Sequence, residues 1–192
     1  DAALTEIYVS GTGLTQLEIP QSAVLTSLSV GDNQLSELVI PEGSRQTLES
    51  LIAYGNKLKS LDLGGMNLDG CLLVAAGGGD LRPQTPAFEG AEQKDGSVVI
   101  DLSALAGGLV EVDPGAGAYD AAAHTVTFAS AADAKGGFTY HFDTGAQVSG
   151  GDSDAVGVDD GILVVQASVD VKPYDDGSGD GGSSGDSDND GA

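Results

Sequence analysis

An internal repeat constrains the fold of this chain more than any other feature. Three segments share the frame L-x-x-L-x-L and begin at Leu4, Leu25 and Leu48, at spacings of 21 and 23 residues. A second apolar frame follows ten residues after each start. A repeat this short cannot bury its apolar face alone, so successive repeats must stack. The pattern therefore predicts a solenoid of short strands whose leucines point inward.

A polar turn recurs between the two apolar frames. Asn33 and Asn56 occupy the same position of the second and third repeats, and Thr12 stands there in the first. An asparagine at this point turns the chain, and its amide bonds backbone groups of neighbouring coils. Over residues 1–72 this pattern resembles the leucine-rich repeats of bacterial surface proteins of the internalin type. The resemblance implies a leucine-rich-repeat solenoid, which we assign to residues 1–74.

A second domain is predicted after residues 75–86, a stretch rich in Gly and Pro that should separate it from the repeats. Alternating apolar and polar residues then predict short strands at 98–100, 109–112, 125–128, 138–142 and 162–171. Short strands joined by Gly, Asp and Ala turns indicate a β-sandwich over residues 87–173. The order of the two domains is similar to that of internalin-type proteins, in which an immunoglobulin-like β domain caps the solenoid.

Residues 174–192 form an acidic tail. Its last 18 residues are only Asp, Gly, Ser, Asn and Ala, which leaves nothing to bury, so we predict a disordered spacer. The predicted fold class is mainly β: a short leucine-rich-repeat solenoid, an immunoglobulin-like β-sandwich and a disordered tail. Because the sequence begins within a repeat already under way, we expect it to be a piece of a longer protein.

The charge balance excludes several partners. The chain has 30 acidic against 7 basic residues and a formal net charge of -23. Binding to nucleic acid or to an anionic membrane surface requires clustered Lys and Arg, which are scattered here. No apolar run approaches the roughly 20 residues that cross a bilayer, so we predict no membrane insertion. The acidic composition favours an extracellular or cell-surface location, although a halophilic cytoplasm would show a similar balance.

Catalytic motifs are sparse. Cys71 lies at an apolar junction, where a buried small hydrophobe is the default interpretation. His124 and His141 fall at strand positions that favour structural or surface roles. The motifs of zinc proteases, phosphate loops and serine hydrolases are absent from the sequence. We therefore predict a protein that is not an enzyme, with no catalytic residue and with calcium as the one ion worth considering.

Two aspartate-rich segments have the spacing of calcium ligands. Asp186, Asp188 and Asp190 match D-x-D-x-D-G and resemble the start of an EF-hand or dockerin loop, although the sequence stops at the seventh loop position. In the other segment, four carboxylates within nine residues could converge on one calcium ion. These four are Asp152, Asp154, Asp159 and Asp160. The alternative in both segments is a solvated acidic loop.

Outward positions of the repeats predict a ligand-binding face. Tyr8 and Tyr54 are interpreted as x positions of the frame, whose side chains should point outward on the face that such solenoids use for binding. Exposed tyrosines are good interface anchors, although two scattered surface tyrosines remain the alternative. The predicted binding residues are Glu6, Tyr8, Thr26, Ser29, Glu49 and Tyr54.

The leading functional hypothesis is an extracellular binding or adhesion module that recognises a protein or a glycan through the repeat face, with the β domain as cap and spacer. The alternative is a non-catalytic portion of a secreted, cellulosome-like carbohydrate-processing protein. In that case a dockerin-type calcium module would follow, and its partner would be a cohesin-type scaffold. A purely structural role is a further alternative, because three repeats are near the minimum for a stable solenoid.

Overall fold

A computed structural model of the chain describes residues 4–67, 71–73, 83–147 and 161–175. Within these residues strands predominate, and the helical segments are single short turns. The strands form one four-stranded parallel sheet and one seven-stranded sheet. The mainly β fold class predicted from the sequence is confirmed.

The parallel sheet takes one strand from each of the three repeats, and its fourth strand follows the last repeat. Its strands are β1 (Glu6–Tyr8), β2 (Ser27–Ser29), β3 (Ser50–Ile52) and β4 (Leu72–Leu73), and they pair in chain order. Ile7, Leu28 and Leu51 are register partners, so each 21- or 23-residue repeat advances the chain by one strand. We call residues 4–24, 25–47 and 48–67 coils 1, 2 and 3.

The leucine frames form the interior of these coils. Leu28, Leu35, Leu51 and Leu58 are fully buried, as the inward positions of the frame predict. In coil 1 the equivalent residues, such as Ile7, are only partly buried, because this coil has a neighbour on one side among the described residues. These inward side chains are thus partly buried in coil 1 and fully buried in coils 2 and 3.

A ladder of asparagine amides joins the coils beside the strands. The Asn33 Oδ1 atom accepts from the amide of Leu14 at 3.0 Å, and its Nδ2 donates to the carbonyl of Val9 at 2.8 Å. Asn56 repeats both contacts one coil later, with the amide of Leu35 at 3.0 Å and the carbonyl of Val30 at 3.0 Å. The predicted role of these asparagines is confirmed.

The seven-stranded sheet has the order β7-β10-β11-β5-β6-β9-β8. Its strands are β5 (Ala87–Glu92), β6 (Val98–Asp101), β7 (Leu109–Asp113), β8 (Ala118–Asp120), β9 (Thr125–Phe128), β10 (Phe138–Asp143) and β11 (Ile162–Lys172). A short helix, α1 (Ala131–Ala134), lies between β9 and β10 and is capped by the hydroxyl of Ser130. The five strands predicted from alternation are all present, and β5 and β8 are additional.

Strand β11 connects two parts of this sheet. Its first half, from Ile162 to Ala167, pairs antiparallel with β10, and its second half, from Ser168 to Lys172, pairs in parallel with β5. The rings of Phe88 on β5 and Phe138 on β10 nevertheless approach to 5.4 Å between centroids. Strands that are not neighbours therefore bring their inward side chains together, as a sheet folded over its own core does. We call residues 83–147 and 161–175 the β region.

The coils and the β region share one hydrophobic core rather than lying apart. The amide of Leu63 donates to the carbonyl of Thr144 at 2.8 Å, and the hydroxyl of Tyr140 donates to the carbonyl of Lys59 at 2.8 Å. The Lys59 ammonium lies 4.2 Å from the centre of the Phe88 ring, a cation–π contact across the joint. Part of the predicted spacer at 75–86 is also built into the fold, since Gln84 within it is fully buried.

Candidate binding face

The outward side chains of β1, β2 and β3 form a small surface that we call the strand face. Successive side chains of a strand point to opposite sides, so residues flanking the buried Leu28 and Leu51 face outward. The register aligns them in two rows across the three strands. One row is Glu6, Ser27 and Ser50, and the other is Tyr8, Ser29 and Ile52. Neighbouring side chains in a row are about 4.8 Å apart, which suits the contact of one ligand with all three coils.

Tyr8 is the most prominent side chain of the strand face. It is 65 % exposed, whereas its row neighbours Ser29 and Ile52 are partly buried. The Ser29 hydroxyl lies 2.8 Å from the hydroxyl of Ser10, so this part of the face is held between coils 1 and 2. The structure therefore places Tyr8, Glu6 and Ser29 together, as the sequence predicts.

Thr26 and Glu49 lie at the edge of the strand face, just before β2 and β3. The Thr26 hydroxyl donates to the carbonyl of Thr5 at 3.3 Å, and the Glu49 amide donates to the carbonyl of Thr26 at 2.9 Å. These contacts fix the start of each strand against the preceding coil. The Glu49 side chain itself is exposed, so it adds a carboxylate beside the outward rows.

Tyr54 occupies a different position from the one predicted. It lies beyond the end of β3, and the register position of Tyr8 in this coil belongs to Ile52. The side chain of Tyr54 is partly buried because its ring covers Gly31 of the neighbouring coil. A Cβ atom on Gly31 would lie 3.2 Å from that ring. Tyr54 therefore borders the strand face and extends it by one more position.

The strand face is acidic. The carboxylates of Glu6 and Glu49 are exposed, and none of the outward residues named above carries a positive charge. Arg45, by contrast, is paired in the return segments of the coils, where its guanidinium lies 3.0 Å from the carboxylate of Asp62. Ligand contacts at the strand face would thus combine an aromatic anchor, serine hydroxyls and negative charge.

The three residues considered for catalysis have ordinary surroundings. The Nδ1 atom of His124 lies 3.2 Å from the hydroxyl of Tyr119, and that of His141 lies 3.6 Å from the exposed carboxylate of Glu111. Cys71 is buried, and burial raises the pKa of its thiol, which disfavours the reactive thiolate. None of these contacts places a Ser or Cys nucleophile beside a histidine that could act as its base.

The predicted calcium ligands lie outside the described residues. Both groups are affected: Asp152, Asp154, Asp159 and Asp160, and Asp186, Asp188 and Asp190. Within the described part of the chain, no three His, Cys, Asp or Glu side chains are grouped so that they could hold a metal ion. No helix in that part is long and apolar enough to cross a membrane.

Sequence analysis missed three contributors to this surface. Ser27, Ser50 and Ile52 are outward residues, and the strand alternation around Leu28 and Leu51 could have identified them. Comparison of the chain with protein-family models, curated proteins and solved structures finds no match. The functional conclusion therefore depends on the geometry of the chain itself.

Proposed function

We propose that this chain is a non-enzymatic binding or adhesion module of a secreted or surface-anchored bacterial protein. In this proposal the coils are leucine-rich repeats, and their strand face engages a protein or a glycan. The β region, an immunoglobulin-like domain in this account, acts as cap and spacer.

The repeat assignment is supported by two independent regularities. The parallel register follows the spacing of the leucine frames, so that Ile7, Leu28 and Leu51 align. The amides of Asn33 and Asn56 make equivalent backbone contacts one coil apart. Both features are expected of a stack in which every coil contacts only its neighbours.

The single observation that carries the binding proposal is the exposed Tyr8 on a face with neighbouring carboxylates. A tyrosine that is 65 % exposed buries much apolar area when a partner covers it, and it retains a hydroxyl for hydrogen bonding. Glu6 on the same strand and Glu49 at the edge of the face favour ligands that present cations or hydroxyl groups. The other large apolar or aromatic side chains at the face, Ile52 and Tyr54, are partly buried.

The proposal is tested by probing the immobilised chain with a glycan array and with an array of extracellular proteins. Each hit is then measured with Tyr8→Ala and with the matched control Tyr174→Ala, since Tyr174 is 47 % exposed but lies after β11. We expect Tyr8→Ala to weaken binding about tenfold or more and Tyr174→Ala to leave it unchanged. Equal affinities of the two variants would contradict the strand-face assignment.

The charge of the face is tested with two double variants of equal net charge. Glu6→Gln with Glu49→Gln removes two carboxylates at the strand face, and Glu18→Gln with Glu37→Gln removes two that line a groove on the return segments. A selective effect of the first pair on a cationic ligand would indicate local recognition. An identical effect of both pairs would indicate general attraction to a chain of net charge -23.

The extracellular location is part of the same proposal and is supported by the acidic composition. The dockerin alternative depends on Asp186, Asp188 and Asp190, which lie outside the described residues. It stays a prediction from the sequence, and no described residue favours it over the binding face.

A further inference from the structure

The buried Gln84 reproduces the contacts of the asparagine ladder from outside the repeats. Its Oε1 atom accepts from the amide of Leu58 at 3.2 Å, and its Nε2 donates to the carbonyl of Ala53 at 2.9 Å. Leu58 follows Asn56 by two residues, and Ala53 precedes it by three. Asn33 and Asn56 use the same two positions of the coil that precedes each of them.

The backbone of Gln84 belongs to the β region. Its amide donates to the carbonyl of Val164 at 3.1 Å, and its carbonyl accepts from the amide of Gln166 at 2.9 Å. Gln84 therefore forms a parallel bridge with Val165 of β11 while its side chain contacts coil 3. A glutamine has one methylene more than an asparagine, and this length lets the amide reach the coil from a strand that is not part of the stack.

We propose that Gln84 is the terminal rung of the ladder and that, through it, the folding of the coils depends on the β region. Without this side chain, the Leu58 amide loses this acceptor at the end of the stack, and the Ala53 carbonyl keeps only the hydrogen bond from the Asn56 side chain. Asn56 in coil 3 contacts coil 2 in the same way, so loosening at coil 3 removes the support of the next coil. The coils should then open while the β region stays folded.

The test compares amide hydrogen exchange in the full chain for wild type, Gln84→Leu and the control Gln166→Leu. Gln166 is exposed on β11, one residue beyond the bridge partner Val165, and its replacement changes the same region without touching the coils. In the wild type, the amides of Leu35 and Leu58 should be as protected as those of β9. In Gln84→Leu we expect both coil amides to exchange about tenfold faster or more, with β9 unchanged. The control should match the wild type.

Two outcomes overturn the proposal. If the amides of Leu35 and Leu58 keep wild-type protection from exchange in Gln84→Leu, the Gln84 side chain is not required to hold the coils together. If the amides of β9 accelerate as much as those of Leu35 and Leu58, Gln84 is an ordinary core residue that stabilises the whole chain.

A second variant keeps the proposal testable if Gln84→Leu does not fold. Gln84→Glu retains the length of the side chain and an acceptor for the Leu58 amide, but an ionised carboxylate cannot donate to the carbonyl of Ala53. A protonated carboxyl can donate again. The stability deficit of Gln84→Glu relative to wild type should therefore shrink as the pH falls from 7 to 4. A deficit that does not change with pH would contradict the donor role that we assign to Gln84.

Discussion

At the scale of single residues, buried amides determine how the coils join. Asn56 is fully buried and contacts four backbone groups: the amide of Leu35 and the carbonyls of Val30, Ala53 and Tyr54. Each of these groups is costly to leave without a partner away from water. One side chain therefore fixes the turn of its own coil and the spacing to the preceding coil.

Replacing Asn56 should be strongly destabilising for this reason. Asn56→Leu keeps the side-chain size but leaves buried backbone groups unpaired, and we expect it to lower the free energy of unfolding by at least about 2 kcal/mol. Gln16→Leu, at an exposed position of coil 1, is the control and should change stability by less than about 0.5 kcal/mol. Urea titration followed by circular dichroism measures both. Equal urea midpoints for the two variants would contradict the stabilising role that we assign to the asparagine amides.

A second residue-scale prediction concerns Asp62 and Arg45. The hydrogen bond from the Arg45 guanidinium, helped by the Gly64 amide, holds the pKa of the Asp62 carboxyl below its usual value of 3.8. A carboxyl with a lowered folded-state pKa adds stability above its unfolded-state pKa and loses that contribution as the pH falls through the folded value. Asp62 is largely exposed, so its contribution at pH 7 should be at most about 1 kcal/mol.

The variant Asp62→Asn tests this linkage. It should be less stable than the wild type at pH 7, and the difference should shrink in acid, as the pH falls below 3.8 and through the lowered folded-state pKa of Asp62. Chemical denaturation at both pH values measures the gap. If the difference in the free energy of unfolding between Asp62→Asn and the wild type persists in acid, the ion pair of Asp62 with Arg45 is not its cause.

At the scale of elements, β5 depends on the absence of a side chain at Gly90. A Cβ atom there would lie 2.6 Å from a methyl of Val98 and 2.8 Å from a methyl of Val169. Gly90 thus permits β6 and β11 to approach on either side of β5. Alternation along β5 places Ala91 on the opposite, exposed side.

These neighbours supply a matched pair of variants. Gly90→Val should overpack the core and lower the melting temperature, at a cost of about 1–3 kcal/mol. Ala91→Val adds a residue of good strand propensity to the exposed side and should be neutral or slightly stabilising. A differential scanning calorimetry trace for each variant distinguishes them. If Ala91→Val melted at a lower temperature than Gly90→Val, the assignment of Gly90 to the buried side of β5 and of Ala91 to its exposed side would be wrong.

The sequence indicates some elements more clearly than others for physical reasons. The leucine frames locate β1, β2 and β3 because the burial of one side of each coil requires that spacing. Strand β8 has only three residues, Ala118–Asp120, which is too short for a periodic signal. Gln84 lies in a stretch whose Gly and Pro content suggests a spacer, and its role depends on contacts with residues 26 and 31 positions away in sequence. Long-range pairing of this kind leaves no local pattern.

The candidate binding face was predictable in part. Glu6, Tyr8 and Ser29 follow from strand alternation alone, which is local information. The position of Tyr54 was not predictable in that way, because it depends on where β3 ends and on the small size of Gly31 in the neighbouring coil. A register error of one residue moves a side chain from one side of the sheet to the other, and an error of two residues at a strand end places it beyond the strand.

At the scale of the whole molecule, a shared core makes the repeats and the β region one structure. The Tyr140 hydroxyl contacts coil 3, and burial of that side chain raises the pKa of its phenol. The joint therefore holds coil 3, which carries part of the strand face, against the β region. A small surface held in this way is what the binding role that we propose requires.

A chemical-shift map of the ¹⁵N-labelled chain with the first ligand that the arrays identify would locate the binding site directly. We expect shifts concentrated at the amides of residues 6–8, 27–29 and 50–54, which form and border the strand face. Shifts concentrated on the β region, with these amides unchanged, would contradict the proposal that the repeats carry the binding site.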